Sequence, residues 1–204
     1  MALTTYAELK TAIAARLSRA DLTSEIVDFI TIAEKRLNRA LRTAKLEATD
    51  TVTCVAGTQS YSLPTDYGQM RQVSISGDPV RTLEFLSPTV AEIKFSSSNT
   101  SKPYAYSIIG SSIYFYYTPD SDYTVNLYYY KQPTALSDSN TSNEYLANYP
   151  DLLLYSALME AATHIQDDAA FQRWGALYLE TFKVIEEADK ADNWAGSNLR
   201  IRVV

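Results

Sequence analysis

Ser112-Ile-Tyr-Phe-Tyr-Tyr-Thr-Pro-Asp-Ser-Asp-Tyr-Thr-Val-Asn-Leu-Tyr-Tyr-Tyr-Lys131 sets the architecture of this chain. Two alternating runs flank the turn signal Pro119-Asp120. In the first, Ile113, Phe115 and Tyr117 point one way, with Tyr114 and Tyr116 opposite. In the second, Val125, Leu127 and Tyr129 point one way, with Tyr128 and Tyr130 opposite. Successive strand side chains alternate between faces, so each run reads as a half-buried strand. With the first face taken as core, Tyr114, Tyr116, Tyr128 and Tyr130 make one patch of four. That patch can pack under a helix or act as a subunit contact. Nine of the sixteen tyrosines fall between Tyr104 and Tyr130. Tyrosine suits strands, and it suits surfaces that are apolar in body and wet at the tip.

Working outward, the period-2 pattern extends from Leu46 to about Lys131. It predicts strands over 46–55, 58–63, 69–76, 80–86, 103–109, 112–118 and 122–131, with a short helix from Pro88 to Phe95. Gly57, Pro64-Thr-Asp66, Gly77-Asp-Pro79 and Gly110-Ser111 punctuate them, at the spacing of an antiparallel sheet or sandwich. On both sides the period changes to that of a helix. Thr5-Tyr-Ala-Glu8 matches a capping box, and Leu9, Ile13 and Leu17 follow. Ile26, Ile30, Ala33, Leu37 and Leu41 form a second stripe. Beyond the polar linker Gln132–Asn143, Pro150 suits a helix first turn. Leu154, Ala157, Leu158, Ala161 and Ile165 form one stripe there; Phe171, Trp174, Tyr178, Phe182 and Ile185 form another. The expected fold class is α+β. A helix pair over 1–45 and another over 144–192 pack as a four-helix bundle. An antiparallel β domain with its linker, 46–143, is inserted between them, and 193–204 is an extended tail.

That tail, Trp194-Ala-Gly-Ser-Asn-Leu-Arg-Ile-Arg-Val-Val204, alternates Leu199, Ile201 and Val203 with Arg200 and Arg202. An apolar alternating segment seeks a backbone partner, supplied by its own domain or by another chain. The net charge of −6 argues against a general nucleic-acid binder. The charges are also segregated. Lys35, Arg36, Arg39, Arg42 and Lys45 lie together without an acid, whereas nine acids face three bases between Tyr145 and Asp192. Segregated charge can order neighbours in an assembly, which makes Lys35, Arg39 and Arg42, with Glu186, Glu187 and Asp189, candidates for subunit contacts. Two solvated helix faces would give the same pattern.

Chemistry is sparse. The one histidine, His164, sits on an apolar helix and reads as structural. With a single cysteine, Cys54, on a strand, no disulfide and no ordinary zinc site can form. No phosphate-binding glycine loop or nucleophile elbow occurs. The pairs Asp120/Asp122, Asp167/Asp168 and Glu186/Glu187 lie at turns or helix ends, where capping or solvation explains them. No catalytic residue, cofactor or metal is expected. No stretch approaches the roughly 20 apolar residues of a membrane span, and no secretory signal pattern opens the chain.

Several motifs in order resemble the head-to-tail adaptor proteins of tailed bacteriophages and their tail tubular and gatekeeper relatives. They are Leu3-Thr-Thr-Tyr-Ala-Glu-Leu-Lys10, Asp28-Phe-Ile-Thr-Ile-Ala-Glu-Lys-Arg-Leu-Asn-Arg39, Gly57-Thr-Gln-Ser-Tyr-Ser-Leu-Pro64, Tyr149-Pro-Asp-Leu-Leu-Leu-Tyr155, Trp194-Ala-Gly-Ser197 and Leu199-Arg-Ile-Arg202. The resemblance implies a virion structural protein, made in the host cytoplasm and placed at the head-tail junction. About twelve copies would form a closed ring that binds the portal on one side and a tail or nozzle protein on the other. DNA would pass through without specific binding. It also implies that Trp194, Leu199, Arg200, Ile201 and Arg202, with Val203 beside them, dock on the portal. The alternatives are a tail-associated cell-wall hydrolase and a DNA-binding packaging factor, the latter disfavoured by the negative charge.

Overall fold

The computed structural model describes residues 3–19, 21–77, 79–95 and 99–194. It is an α+β structure with six helices and two four-stranded sheets. The chain divides into two compact units: a helical unit from both ends, up to Leu46 and from Pro133, and a β unit, Glu47–Gln132.

In the helical unit, α1 (Tyr6–Leu17) opens on a complete capping box. The Thr5 hydroxyl accepts from the Glu8 amide at 3.3 Å, and the Glu8 carboxylate accepts from the Thr4 and Thr5 amides at 2.8 and 3.0 Å. Orphan N–H groups are thereby satisfied at a helix start. The helix stops at Ser18, which takes a left-handed conformation with φ 51°. α2 (Glu25–Ala40) buries Ile26, Ile30, Ala33 and Leu37. A 3-10 turn, Ala44–Leu46, leads into the β unit.

The chain returns through α4 (Glu144–Asn148), capped by Asn143, then α5 (Pro150–His164) and α6 (Asp168–Trp194). α5 buries Leu152, Leu153, Leu154, Ala157, Leu158, Ala161 and Ala162, so it is apolar nearly all round. Such a helix must be surrounded, and α5 packs against α1, α2, α4 and α6. The Asp167 carboxylate accepts from the Ala170 amide at 2.9 Å and starts α6. The expected C-terminal helix pair is thus three helices. α6 runs two residues past the expected end at Asp192, because neither Asn193 nor Trp194 is a glycine or proline that would stop it.

The β unit contains β1 (Glu47–Cys54), β2 (Ser60–Ser62), β3 (Tyr67–Ile75), β4 (Arg81–Thr82), β5 (Glu84–Phe85), α3 (Pro88–Lys94), β6 (Ala105–Ile109), β7 (Ser112–Tyr116) and β8 (Tyr123–Lys131). One sheet has the order β1-β8-β3-β4 and the other β2-β7-β6-β5. Cys54, Val73, Ile75, Val125, Leu127 and Tyr129 from the first pack with Leu63, Leu83, Tyr106, Ile113 and Phe115 from the second. The two inner faces therefore share one core, as in a sandwich.

Three expectations for this unit need correction. The run 80–86 is not one strand. Leu83 is buried in the shared core, and the chain changes sheets there, with β4 on one side and β5 on the other. The sheets are not wholly antiparallel, since β5 pairs with β6 in parallel (Glu84↔Ala105, Phe85↔Tyr106). A parallel pair needs a crossover, and α3 with the segment after it provides the length. Finally, β7 and β8 belong to different sheets. Their connection through Pro119-Asp120 crosses the sandwich and does not close a hairpin.

Candidate functional site

The last correction dissolves the four-tyrosine patch. The inner faces of both sheets meet at the core, so their outer faces point in opposite directions. Tyr114 and Tyr116 lie outside one sheet, and Tyr128 and Tyr130 outside the other. Tyr128 pairs across to Thr49 and Gln72 and is 40% exposed. Tyr116 is partly covered, because Phe95, just after α3, stacks on it with ring centroids 5.7 Å apart. Tyr117, expected on the core side, stands edge-on to the same Phe95 at 5.1 Å. Tyr104 completes this cluster and lies under the Arg81 guanidinium at 4.5 Å, a cation–π contact.

The basic stretch after Glu34 separates into internal and external members. Arg36 pairs with Glu160 on α5. Arg42 turns back, donating to the Asn38 and Leu41 carbonyls at 2.9 and 2.7 Å, which closes the C-terminal end of α2. Lys35 and Arg39 are exposed and make no hydrogen bond or ion pair among the described residues. The acidic end of α6 divides likewise. Asp189 accepts from the Ala44 amide at 2.7 Å, holding α6 to the turn after α2. Glu186 and Glu187 are exposed.

One site residue lies inside the quoted motif 28–39 but has no role assigned to it by the sequence pattern. Glu34 is buried on the apolar side of α2, at 4% exposure. Its carboxylate accepts from the Leu136 amide at 3.0 Å and from Asn143 Nδ2 at 2.7 Å. Asn143 in turn caps α4 through the Leu146 amide, at 3.1 Å. Glu34 is therefore the peg that holds the linker, and through it α4, against α2. Burial raises its pKa, and the two hydrogen bonds oppose the rise. The available signal was positional: Glu34 follows Ile30 by four and precedes Leu37 by three, inside the apolar stripe.

The candidates for chemistry have structural roles. Cys54 is buried, which pushes its thiol up to about 12. His164 ends α5 at the surface, with its ring 5.4 Å from that of Phe29. Asp122 accepts from the Ala56 amide at 3.0 Å, and Asp120 accepts from the Tyr123 hydroxyl at 2.7 Å. Among the described residues, no group of three or more His, Cys, Asp or Glu could hold a metal ion. No helix there is long and apolar enough to cross a membrane.

Of the expected docking residues, Trp194 is the last residue of α6. Leu199, Arg200, Ile201, Arg202 and Val203 lie outside the described residues. No curated protein matches the chain. A family model does, that of the SU10 adaptor protein, over residues 4–202, so both units and, apart from Leu3, the quoted motifs fall within the match. The α+β architecture, the two units and this near full-length match lead to one conclusion: the chain belongs to the SU10 adaptor family, a family of phage head-to-tail adaptors.

Proposed function

We propose that this phage structural protein forms a ring at the head-tail junction of the virion, joining the portal to a tail or nozzle protein and leaving a passage for DNA. Membership of a structural adaptor family implies a non-enzymatic role and interaction with other head and tail components. The observation that carries the finer reading is the extent of the family match, which runs to residue 202 and takes in Trp194, Leu199, Arg200, Ile201 and Arg202. In this reading α1, α2, α5 and α6 of the helical unit make up a four-helix bundle, with the short α4 packed beside α5. The 27-residue α6, roughly 40 Å long at 1.5 Å per residue, leads to the segment that docks on the portal. That segment includes Leu199, Arg200, Ile201, Arg202 and Val203, whose alternation of apolar and basic residues suits docking on another chain. A net charge of −6 keeps passing DNA from binding, since phosphate contacts would stall it.

The test is deletion of residues 195–204. The shortened chain is expected to keep the circular dichroism and melting temperature of the full chain and to lose co-sedimentation with the portal. Undiminished portal binding by the shortened chain would refute the docking role.

A further inference from the structure

α2 and α6 each present an outward stripe with the same layout. On α2 it runs Asp28, Ile32, Lys35, Arg39. On α6 it runs Glu180, Val184, Glu187, Ala191. Both follow the i, i+4, i+7, i+11 spacing that keeps side chains on one face of a helix. Both lie away from the buried face, which is Ile26, Ile30, Ala33 and Leu37 on α2 and is marked by Tyr178 on α6. At the middle of each stripe an aliphatic side chain faces solvent: Ile32 is 44% exposed and Val184 60%. The neighbouring charges differ in sign. Lys35 and Arg39 follow Ile32, and Glu180 and Glu187 bracket Val184. All four are exposed, and none forms a hydrogen bond or ion pair among the described residues.

The contrast with their neighbours carries the argument. Arg36, Arg42 and Asp189 belong to the same charged stretches, yet each is engaged within the helical unit. Among the charges these stretches leave over, Lys35 and Arg39 form a basic stripe and Glu180 and Glu187 an acidic stripe, each centred on an apolar side chain. Lys183 and Lys190 lie to one flank of the acidic stripe, and Asp28 sits in the first turn of α2, where the helix dipole favours it.

We infer that the α2 stripe of one copy docks on the α6 stripe of the next, with Ile32 and Val184 in contact and Lys35 and Arg39 against Glu180 and Glu187. The occupant is a second copy of this chain, because the two surfaces are complementary in charge and match in spacing. With each stripe engaging a different neighbour the contact is heterologous, and it closes into a ring where the rotation between copies allows. The inference rests on the ring reading above and supplies its lateral contact.

Charge reversal in the full-length protein tests it. K35E/R39E places acid on both stripes, and E180K/E187K places base on both. Like charges facing each other oppose association. Each variant is therefore expected to lose its rings about ten-fold or more, by mass photometry with and without portal. Mixing the two variants equally should restore rings, since every junction then joins opposite charges. The combined variant K35E/R39E/E180K/E187K should assemble without a partner. Restoration on mixing also shows that the variants are folded. Failure of both the mixture and the combined variant to recover rings would overturn the inference, as would rings of wild-type abundance from either reversal. If the wild type forms rings in those cases, the function proposed above survives. A wild type that forms no ring even on the portal would sink both.

Discussion

A carboxylate at 4% exposure must find donors or take up a proton. Glu34 has two donors, yet burial still lifts its pKa above the usual 4.5. The sign of the pH effect follows. A folded state with a raised pKa binds its proton more readily than the unfolded chain. The stability that Glu34 contributes through this proton is fully present below about pH 4.5 and is lost as pH rises through the raised value. The stability of the wild type relative to Glu34→Gln is therefore expected to be greatest below pH 4.5 and to decline above it. Urea titrations of both proteins across pH would check this, and a difference that grows with pH would contradict it. Gly68 presents a steric problem of a different kind. It sits at a register shift between β3 and β8, where an added Cβ would lie 2.7 Å from the Tyr130 carbonyl oxygen. Backbone cannot give way like a flexible side chain, so Gly68→Ala should cost roughly 1–3 kcal/mol by denaturant unfolding. Cys54, with its thiol at about 12, is expected to resist maleimide in the native protein and to react on unfolding.

At the level of elements, the local code is strong. The Thr5/Glu8 box, Asp167 ahead of α6 and Pro150 in the first turn of α5 were legible because a helix end is decided by residues three or four apart. Thr5→Ala should cost about 1 kcal/mol, seen as a lower melting temperature with the secondary structure unchanged. Strand alternation was equally legible, and β1, β3, β6 and β8 lie where the period-2 runs put them. The run 80–86 was misread because Leu83 satisfies an alternating pattern whichever sheet its neighbours join. The tyrosine patch failed for a related reason. Alternation tells which side chains of a strand share a face, but not which strands share a sheet.

Across the molecule, two separate cores predict two unfolding events. Calorimetry should resolve two transitions. Phe115→Ala, at the centre of the sandwich, should lower only one, by roughly 3–5 kcal/mol, and Leu158→Ala in α5 only the other, by roughly 2–5 kcal/mol. A single transition shifted by either change would show that the units unfold together. The candidate site was partly legible at this scale. Segregation of charge between α2 and α6 was evident in the chain, but its division into internal ties and exposed stripes was not.

Periodicity, caps and turn residues were enough to establish helices at both ends, strands between them and the α+β class, because each depends on neighbours within about one turn of helix or one pleat of strand. The ordered motifs were enough to point to the adaptor family. The pairing of β7 and β8 with different sheets, the parallel entry of β5, the burial of Glu34 under the linker and the capture of Asp189 by Ala44 came only with the folded chain. Each joins groups far apart along the polypeptide, and such contacts follow from how whole surfaces fit together, which no local pattern encodes.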